Sequence, residues 1–457
     1  MIGYLATYRQ ILAVIPVSLT EFNMGIGCGW LAPAIKKLLE DSSGEITANS
    51  DQASWIASLY DFGKMFGSIL TMMILDIIGR SPMLRIGSFL IFLTWLIVIF
   101  TKSAPVLVFA RFGYGIAVGI CDVVCAIYLG ENCTPKIRGI SCCVSVFCFF
   151  FAVLLAFALG TYLPYSVTSI VSAAISFICL LSSVLLVESP QFLTLRGKFD
   201  KAEKNLMWLR GTTSKNSQVD IRQEYEAIKS NIEFEKQKKK SYYETFAKSS
   251  TNLKSLVIVL VISLSQPACG SASIFSYISI MFPTSEFVSS NEFTVWFGTI
   301  QLISATVCVL VIEKFKRRSI ALLSNLVFLL CHSGIAFFYY ANENTSAKYD
   351  SWMMFILIGI YSIFNVAMDS VFYLVRSELF PQSIKPFGCG VSIIAESILD
   401  FATVKVFLMV AEKYGMYVNF VIYAIFSFLT FLFCYFALPE TRGKSLVYIQ
   451  RELDKKI

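Results

Sequence analysis

Runs of about twenty apolar residues, separated by short polar stretches, recur twelve times along the chain. They fall near 10–33, 53–75, 83–101, 105–130, 139–161, 165–187, 253–282, 293–312, 319–341, 351–377, 386–411 and 415–438. As helices they are long enough to cross a hydrocarbon core of roughly 30 Å. Between the sixth and seventh runs the pattern changes. Residues 198–204 and 224–229 have the charge and spacing of water-exposed helices, and Lys238-Lys239-Lys240 is a basic run suited to a surface near anionic lipid. The pattern predicts an all-α membrane protein with twelve transmembrane helices in two six-helix bundles, residues 1–187 and 253–438. Residues 188–252 form a short cytosolic helical linker, and 439–457 a cytosolic tail. Few residues precede the first run, which predicts no cleavable leader.

Composition sharpens this. Of the 457 residues, 56% are hydrophobic and 15% charged, with a mean hydropathy of +0.67. A soluble domain carries roughly 25% charged residues, so a soluble globule is excluded. Arg80, Arg85, Lys136, Arg138, Lys314, Lys316, Arg317, Arg318 and Lys385 fall on one side of the spans with the basic linker. The other side holds Lys36, Lys37, Lys102, Lys348 and Lys413. This asymmetry predicts cytosolic termini. The net charge of +7 is accounted for by it, so nucleic acid is not an expected partner. Asn344-Thr345-Ser346 lies outside and is a candidate glycosylation acceptor, whereas Asn132-Cys133-Thr134 ends the fourth span on the cytosolic side. Most of the 13 cysteines lie inside spans and read as apolar packing groups. The single histidine, His332, has no acidic neighbour in sequence. No metal, cofactor or enzymatic constellation is expected.

The halves repeat three features. Asp76 to Arg80 follows the second span, and Glu313 to Arg318 the eighth. Glu131 with Arg138 follows the fourth, and Glu378 with Lys385 the tenth. Glu188-Ser189-Pro190-Gln191-Phe192-Leu193 closes the sixth span, and Pro439-Glu440-Thr441-Arg442-Gly443-Lys444 the twelfth. The offsets, about 237, 247 and 252 residues, amount to one six-span unit with its loops. Parallel repeats of this kind hold a substrate near the midplane between them.

Further motifs lie in order along nearly the whole chain: Trp30-Leu31-Ala32-Pro33, Arg111 with Gly115 and Gly119, Tyr128-Leu129-Gly130-Glu131, Lys136-Ile137-Arg138-Gly139 and Trp208-Leu209-Arg210-Gly211. Together with the two tags they resemble the sugar porters of the major facilitator superfamily, in particular the insect trehalose and hexose facilitators. The resemblance implies the major facilitator fold and a small-molecule sugar as substrate. It also implies alternating access in the plasma membrane. It assigns Asp76, Arg80, Glu131, Arg138, Glu188, Glu313, Arg317, Glu378, Lys385, Glu440 and Arg442 to an intracellular gate, with charged pairs between bundles that break as the halves rock. The alternative is that these residues are only membrane-interface anchors and their counterions.

In the centre the match is partial. A polyol needs a hydrogen-bond partner for each desolvated hydroxyl. The resemblance places amides on spans five, seven and eight and an aromatic on span ten. Here span five has Val146, span seven reads Gln266-Pro267-Ala268-Cys269-Gly270-Ser271-Ala272, span eight keeps Gln301, and span ten keeps Tyr373. Gln266, Gln301 and Tyr373 are therefore the sugar contacts carried over. Acidic groups stand in place of the missing ones. Glu396 and Asp400, one turn apart on span eleven, are candidate cavity-lining substrate groups. Asp61 and Lys64, three apart on span two, are expected to neutralise each other. Glu21 and Arg111 resemble the proton-coupling pair of the family's symporters. The sequence thus predicts a facilitative sugar transporter. A proton-coupled or cation-carrying transporter and a transport-silent sugar sensor are alternatives, and the oligomeric state is open.

Overall fold

The computed structural model describes residues 2–40, 46–211, 222–226, 228–230, 232–233, 250–282, 289–311, 314–344, 351–380 and 385–442. Long helices follow the hydropathy pattern: α1 (Ile2–Leu39), α2 (Ser50–Ile78), α3 (Arg80–Phe100), α4 (Ala104–Asn132), α5 (Pro135–Tyr162) and α6 (Tyr165–Ser182). Two short helices come next, α7 (Pro190–Leu195) and α8 (Phe199–Leu209). The second half comprises α9 (Ser250–Ala268), α10 (Ser271–Met281), α11 (Ser290–Val311), α12 (Arg317–Asn344), α13 (Ser351–Leu379), α14 (Lys385–Tyr414) and α15 (Met416–Phe436). Among the described residues, ten spans are long and apolar enough to cross a membrane on hydropathy alone. The other two long helices, α2 and α14, carry the charges Asp61, Lys64, Glu396 and Asp400 along their lengths.

The seventh span is broken where the sequence predicts one helix. Pro267 has no N–H to continue the ladder, and Gly270 adopts φ +77, a left-handed conformation. A side chain at Gly270 would also run into the Tyr423 ring. The span is therefore two helices, α9 and α10, which meet at Cys269-Gly270.

Helices α2 and α4 approach backbone to backbone. A Cβ at Gly63 or Gly67 would lie 2.3 or 2.1 Å from carbonyl oxygens of α4, and one at Gly115 or Gly119 would lie 2.1 or 2.2 Å from carbonyl oxygens of α2. The small-residue spacing in the sequence thus permits this contact. The two halves meet where α2 packs along α14, α5 along α11, and α1 against α10. The linker helices α7 and α8 sit at one end, which we call the linker end. There Leu193, Ala202 and Leu206 form a small core of their own. Arg9 of α1 reaches the Trp208 carbonyl, and Asn205 the Glu188 carbonyl.

At the far end the halves are tied directly. Lys405 Nζ donates to Asp51 Oδ1 at 2.6 Å and to Ser54 Oγ at 2.7 Å, and it lies 4.2 Å from the centre of the Trp55 ring. Lys36 donates to Asn291 Oδ1 at 2.8 Å. Phe401 packs against Phe62, and Phe157 against Phe275 and Phe297. Lys405→Ala should weaken this tie by about 1 kcal/mol, roughly a fivefold shift toward a form open at the far end. Spin labels at Thr47 and Glu412 read this as a longer, broader distance distribution. An unchanged distribution would show that apolar packing alone holds that end.

A candidate transport cleft between the halves

Lys64 organises the centre. Its ammonium pairs with Asp122 of α4 at 3.2 Å, and not with Asp61, as the three-residue spacing predicts. The cause is the α2–α4 approach. Gly119 touches the Lys64 carbonyl, and Asp122 lies one turn further along α4, within reach of the Lys64 side chain. Asp61 is 7% exposed and lies within electrostatic reach of Lys64, Arg111 and Glu396. Across the seam Asp400 senses Asp61, Glu396 and Asp369, so carboxylates from α2, α13 and α14 share one region. Lys405 is engaged at the far end, which leaves Glu396 and Asp400 without it.

The carried-over sugar contacts occupy different surroundings. Gln266 is buried, its amide nitrogen donating to the Asn365 carbonyl at 3.3 Å, and its Oε1 has no hydrogen-bond donor. Gln301 is equally buried, with Oε1 also unmet. Tyr373 is 51% exposed and lies within electrostatic reach of Asp122, Lys64 and Glu396. Arg376 lies over the same ring at 4.9 Å.

Glu21 and Arg111 do not pair. Glu21 hydrogen-bonds the Cys125 thiol and senses Asp122 and Lys64. Arg111 donates to the Gly27 carbonyl at 3.1 Å and is enclosed by Tyr60, Tyr114 and Trp30, with ring centres at 4.9, 5.3 and 5.9 Å. Asp122 is eleven residues beyond Arg111 on α4, about 16 Å along the helix, so the two groups lie at different depths. The acid that Arg111 faces is Asp61.

The linker-end charges satisfy one another within each half. Arg80 grips Glu131 through Nε and Nη2, the latter at 2.9 Å, and Asp76 through Nη1 at 3.0 Å. Ser189 adds a hydrogen bond to Glu131. Glu188 accepts from the backbone N–H of Arg80 at 3.0 Å and of Ser81 at 3.3 Å, capping α3. In the second half Glu440 accepts from the N–H of Arg317 at 3.0 Å and of Arg318 at 3.3 Å, capping α12. Arg442 donates to the Lys314 carbonyl at 2.6 Å. Among the described residues, Asp76, Arg80, Glu131, Glu188 and Glu440 thus find their partners within their own half, and no pair between bundles is seen for them, as suits a carboxylate at a helix N-terminus or on a guanidinium fork. Glu313 and the side chains of Arg138, Glu378 and Lys385 lie outside the described residues. Asn344 is exposed at the end of α12, and Thr345 and Ser346 of its sequon lie outside the described residues. Removing a cap should cost about 1 kcal/mol. Glu188→Ala and Glu440→Ala should each lower the melting temperature by similar amounts, since the two sites are copies of one device. A large difference between them would mean that only one tag is structural.

Sequence reasoning missed the Lys64–Asp122 pair, the Gln266–Asn365 contact, and the far-end ties of Lys405 and Lys36. These link residues 58 to 354 positions apart, where helical spacing gives no signal. His332 is an apolar-packed residue among Phe328, Tyr361, Phe420 and Tyr423, with Ser427 beside its Nδ1. Among the described residues no group of three or more His, Cys, Asp or Glu is arranged to hold a metal ion.

Comparison with known proteins gives a consistent result. The family described as "Sugar (and other) transporter" matches residues 19–453. The facilitated trehalose transporter Tret1 of Apis mellifera ligustica is 25% identical over 97% of this chain and 88% of its own length. That of Drosophila grimshawi is 24% identical over 98% of this chain, which spans about half (48%) of that longer protein. Among solved structures, the partially occluded inward-open xylose transporter XylE from E. coli superposes with a TM-score of 0.79 at 18% identity, covering 96% of this chain and 100% of that one. The proton:xylose symporter XylE bound to 6-bromo-6-deoxy-D-glucose gives a TM-score of 0.72 at 19% identity, covering 99% and 100%.

Proposed function

The chain belongs to the family of sugar (and other) transporters, and from that premise we propose that it carries a sugar of the hexose or trehalose class by facilitated alternating access. Gln266 and Gln301 support this most directly. Two buried amides with unmet carbonyl oxygens, and in Tyr373 a half-exposed aromatic ring, are the kinds of group that a polyol requires. The trehalose transporters among its relatives favour the same class of solute. We place the carrier in the plasma membrane with the linker end and both termini in the cytosol, where the positive charges gather, and Asn344 outside as a glycosylation acceptor. The caps at Glu188 and Glu440 keep α3 and α12 seated as each half moves. Arg138, Glu378 and Lys385 are the groups assigned to contacts between the halves at the linker end.

Carboxylates on the facing helices α2, α13 and α14, at Asp61, Asp369, Glu396 and Asp400, for which no side-chain hydrogen bond is seen among the described residues, favour proton coupling as a second reading. Uptake of radiolabelled trehalose and glucose in oocytes, with and without an imposed pH gradient, tests both. Saturable uptake that equilibrates and ignores the gradient supports facilitation. Accumulation that collapses with the gradient supports coupling. Absence of uptake from correctly inserted protein overturns both.

A further inference from the structure

We infer that a small cavity between α1, α3 and α4 binds one monatomic anion, a halide such as chloride, on the guanidinium of Arg111 and the indole N–H of Trp95. Trp30 of α1, Thr94 and Trp95 of α3, and Arg111 and Tyr114 of α4 are among its walls. None of these is a sugar contact proposed above. Arg111 and Trp95 are each 2% exposed, so bulk water does not serve their polar atoms. Arg111 donates through Nη1 to the Gly27 carbonyl at 3.1 Å. Among the described residues its Nε and Nη2, and Nε1 of Trp95, have no hydrogen-bond acceptor. The surrounding rings of Tyr60, Tyr114 and Trp30 offer the guanidinium their faces but no oxygen. Buried N–H groups of a cation left in this state are costly.

The fold supplies no carboxylate to meet them. Asp61 acts on Arg111 from beyond ion-pair distance, and no salt bridge to Arg111 is seen among the described residues. At Gly27, where α1 passes the guanidinium, an added Cβ would lie 2.0 Å from the Tyr114 hydroxyl. A side-chain acid therefore has no room at that position. The lining side chains include no amide or carboxylate, and their hydroxyls are already donating, Thr94 to the Ile91 carbonyl at 2.7 Å and Tyr114 to the Asn23 carbonyl at 3.0 Å. A water could accept from the unmet N–H groups but would have only those two hydroxyl oxygens to donate to. A halide requires donors alone. Size agrees: the cavity volume is ≈ 10 Å³, about the room one water needs. That admits a halide, which is little larger than water, and excludes sulfate or an organic anion. Bound there, the anion braces α3 and α4 against α1 within the first half.

Purified full-length carrier in detergent, melted while its helical circular dichroism is followed, tests this. It should melt about 3 °C higher in about 150 mM sodium chloride than in sodium gluconate of equal ionic strength. The rise should saturate with chloride concentration, and bromide should replace chloride. Trp95→Phe keeps the ring and removes its N–H, and should raise the half-saturating chloride concentration about fivefold. Arg111→Gln should abolish the chloride response. Equal melting of wild type in chloride and gluconate overturns the site and leaves the cavity to water. A rise that grows linearly with salt, or that sulfate matches, is a general salt effect and also overturns it. A saturable response that Trp95→Phe leaves unchanged puts the anion elsewhere and overturns the assignment to this cavity. Wild type and Trp95→Phe decide the matter even if Arg111→Gln does not insert.

Discussion

Gly119→Leu is expected to remove nearly all folded carrier, read as loss of the monodisperse peak of a fluorescent fusion in detergent. The added Cβ would start 2.2 Å from the Lys64 carbonyl and 2.9 Å from the Ser68 nitrogen, both backbone atoms of α2. Ordinary contact needs about 3.5 Å, so α2 would have to retreat by more than about 1 Å along a seam that no rotamer change can relieve. Overpacking in an adaptable core costs about 1–3 kcal/mol. Here the obstacle is backbone, and α2 also carries the contact with α14 that joins the halves, so the loss should exceed that range. Gly130 on the same helix is the matched control. Nothing lies within 4 Å of a Cβ there, so Gly130→Ala should leave the peak intact. Equal behaviour of the two variants would refute the close-packing argument.

The twelve spans and the two-fold repeat are legible in the sequence because each signal is local. Hydropathy windows set ten of the described spans, α2 and α14 being interrupted by charges, and the tags at Glu188 and Glu440 follow the same spacing in both halves. Their physical role is visible only in three dimensions. A glutamate that closes one six-helix unit turns back to cap that unit's third helix, a contact across 108 residues for Glu188 and 123 for Glu440. The break at Gly270 is half legible. Pro267 weakens the helix in sequence, but only the Tyr423 ring explains why a glycine follows it. The centre is the least legible part. The spacing of Asp61 and Lys64 suggests a pair, yet the partner of Lys64 is set by which helix lies against it. Gln266, Gln301 and Tyr373 were readable only through family resemblance, and the unmet oxygens beside them only from the packing.

Lys64→Met should be among the most damaging single changes in the cleft, and its partner's neutralisation far milder. Without Lys64, Asp122 loses its ion-pair partner among the described residues, at 3.2 Å, while remaining close to Glu21 and Glu396, both acids. An unpaired carboxylate at membrane depth costs about 3 kcal/mol, enough to reduce inserted protein severely. Asp122→Asn reverses the situation. The freed ammonium already lies in the field of Glu396 and Asp61 and can turn to either, so the charge stays compensated. The double variant Lys64→Met with Asp122→Asn removes both charges together and should recover much of the insertion that Lys64→Met loses. Surface biotinylation of the three variants, followed by uptake per inserted molecule, measures this. The expected order is Lys64→Met lowest, the double variant intermediate and Asp122→Asn highest. Two equally damaging single variants with no recovery in the double would mean that each residue acts independently, and that the pair does not balance the acidic cleft.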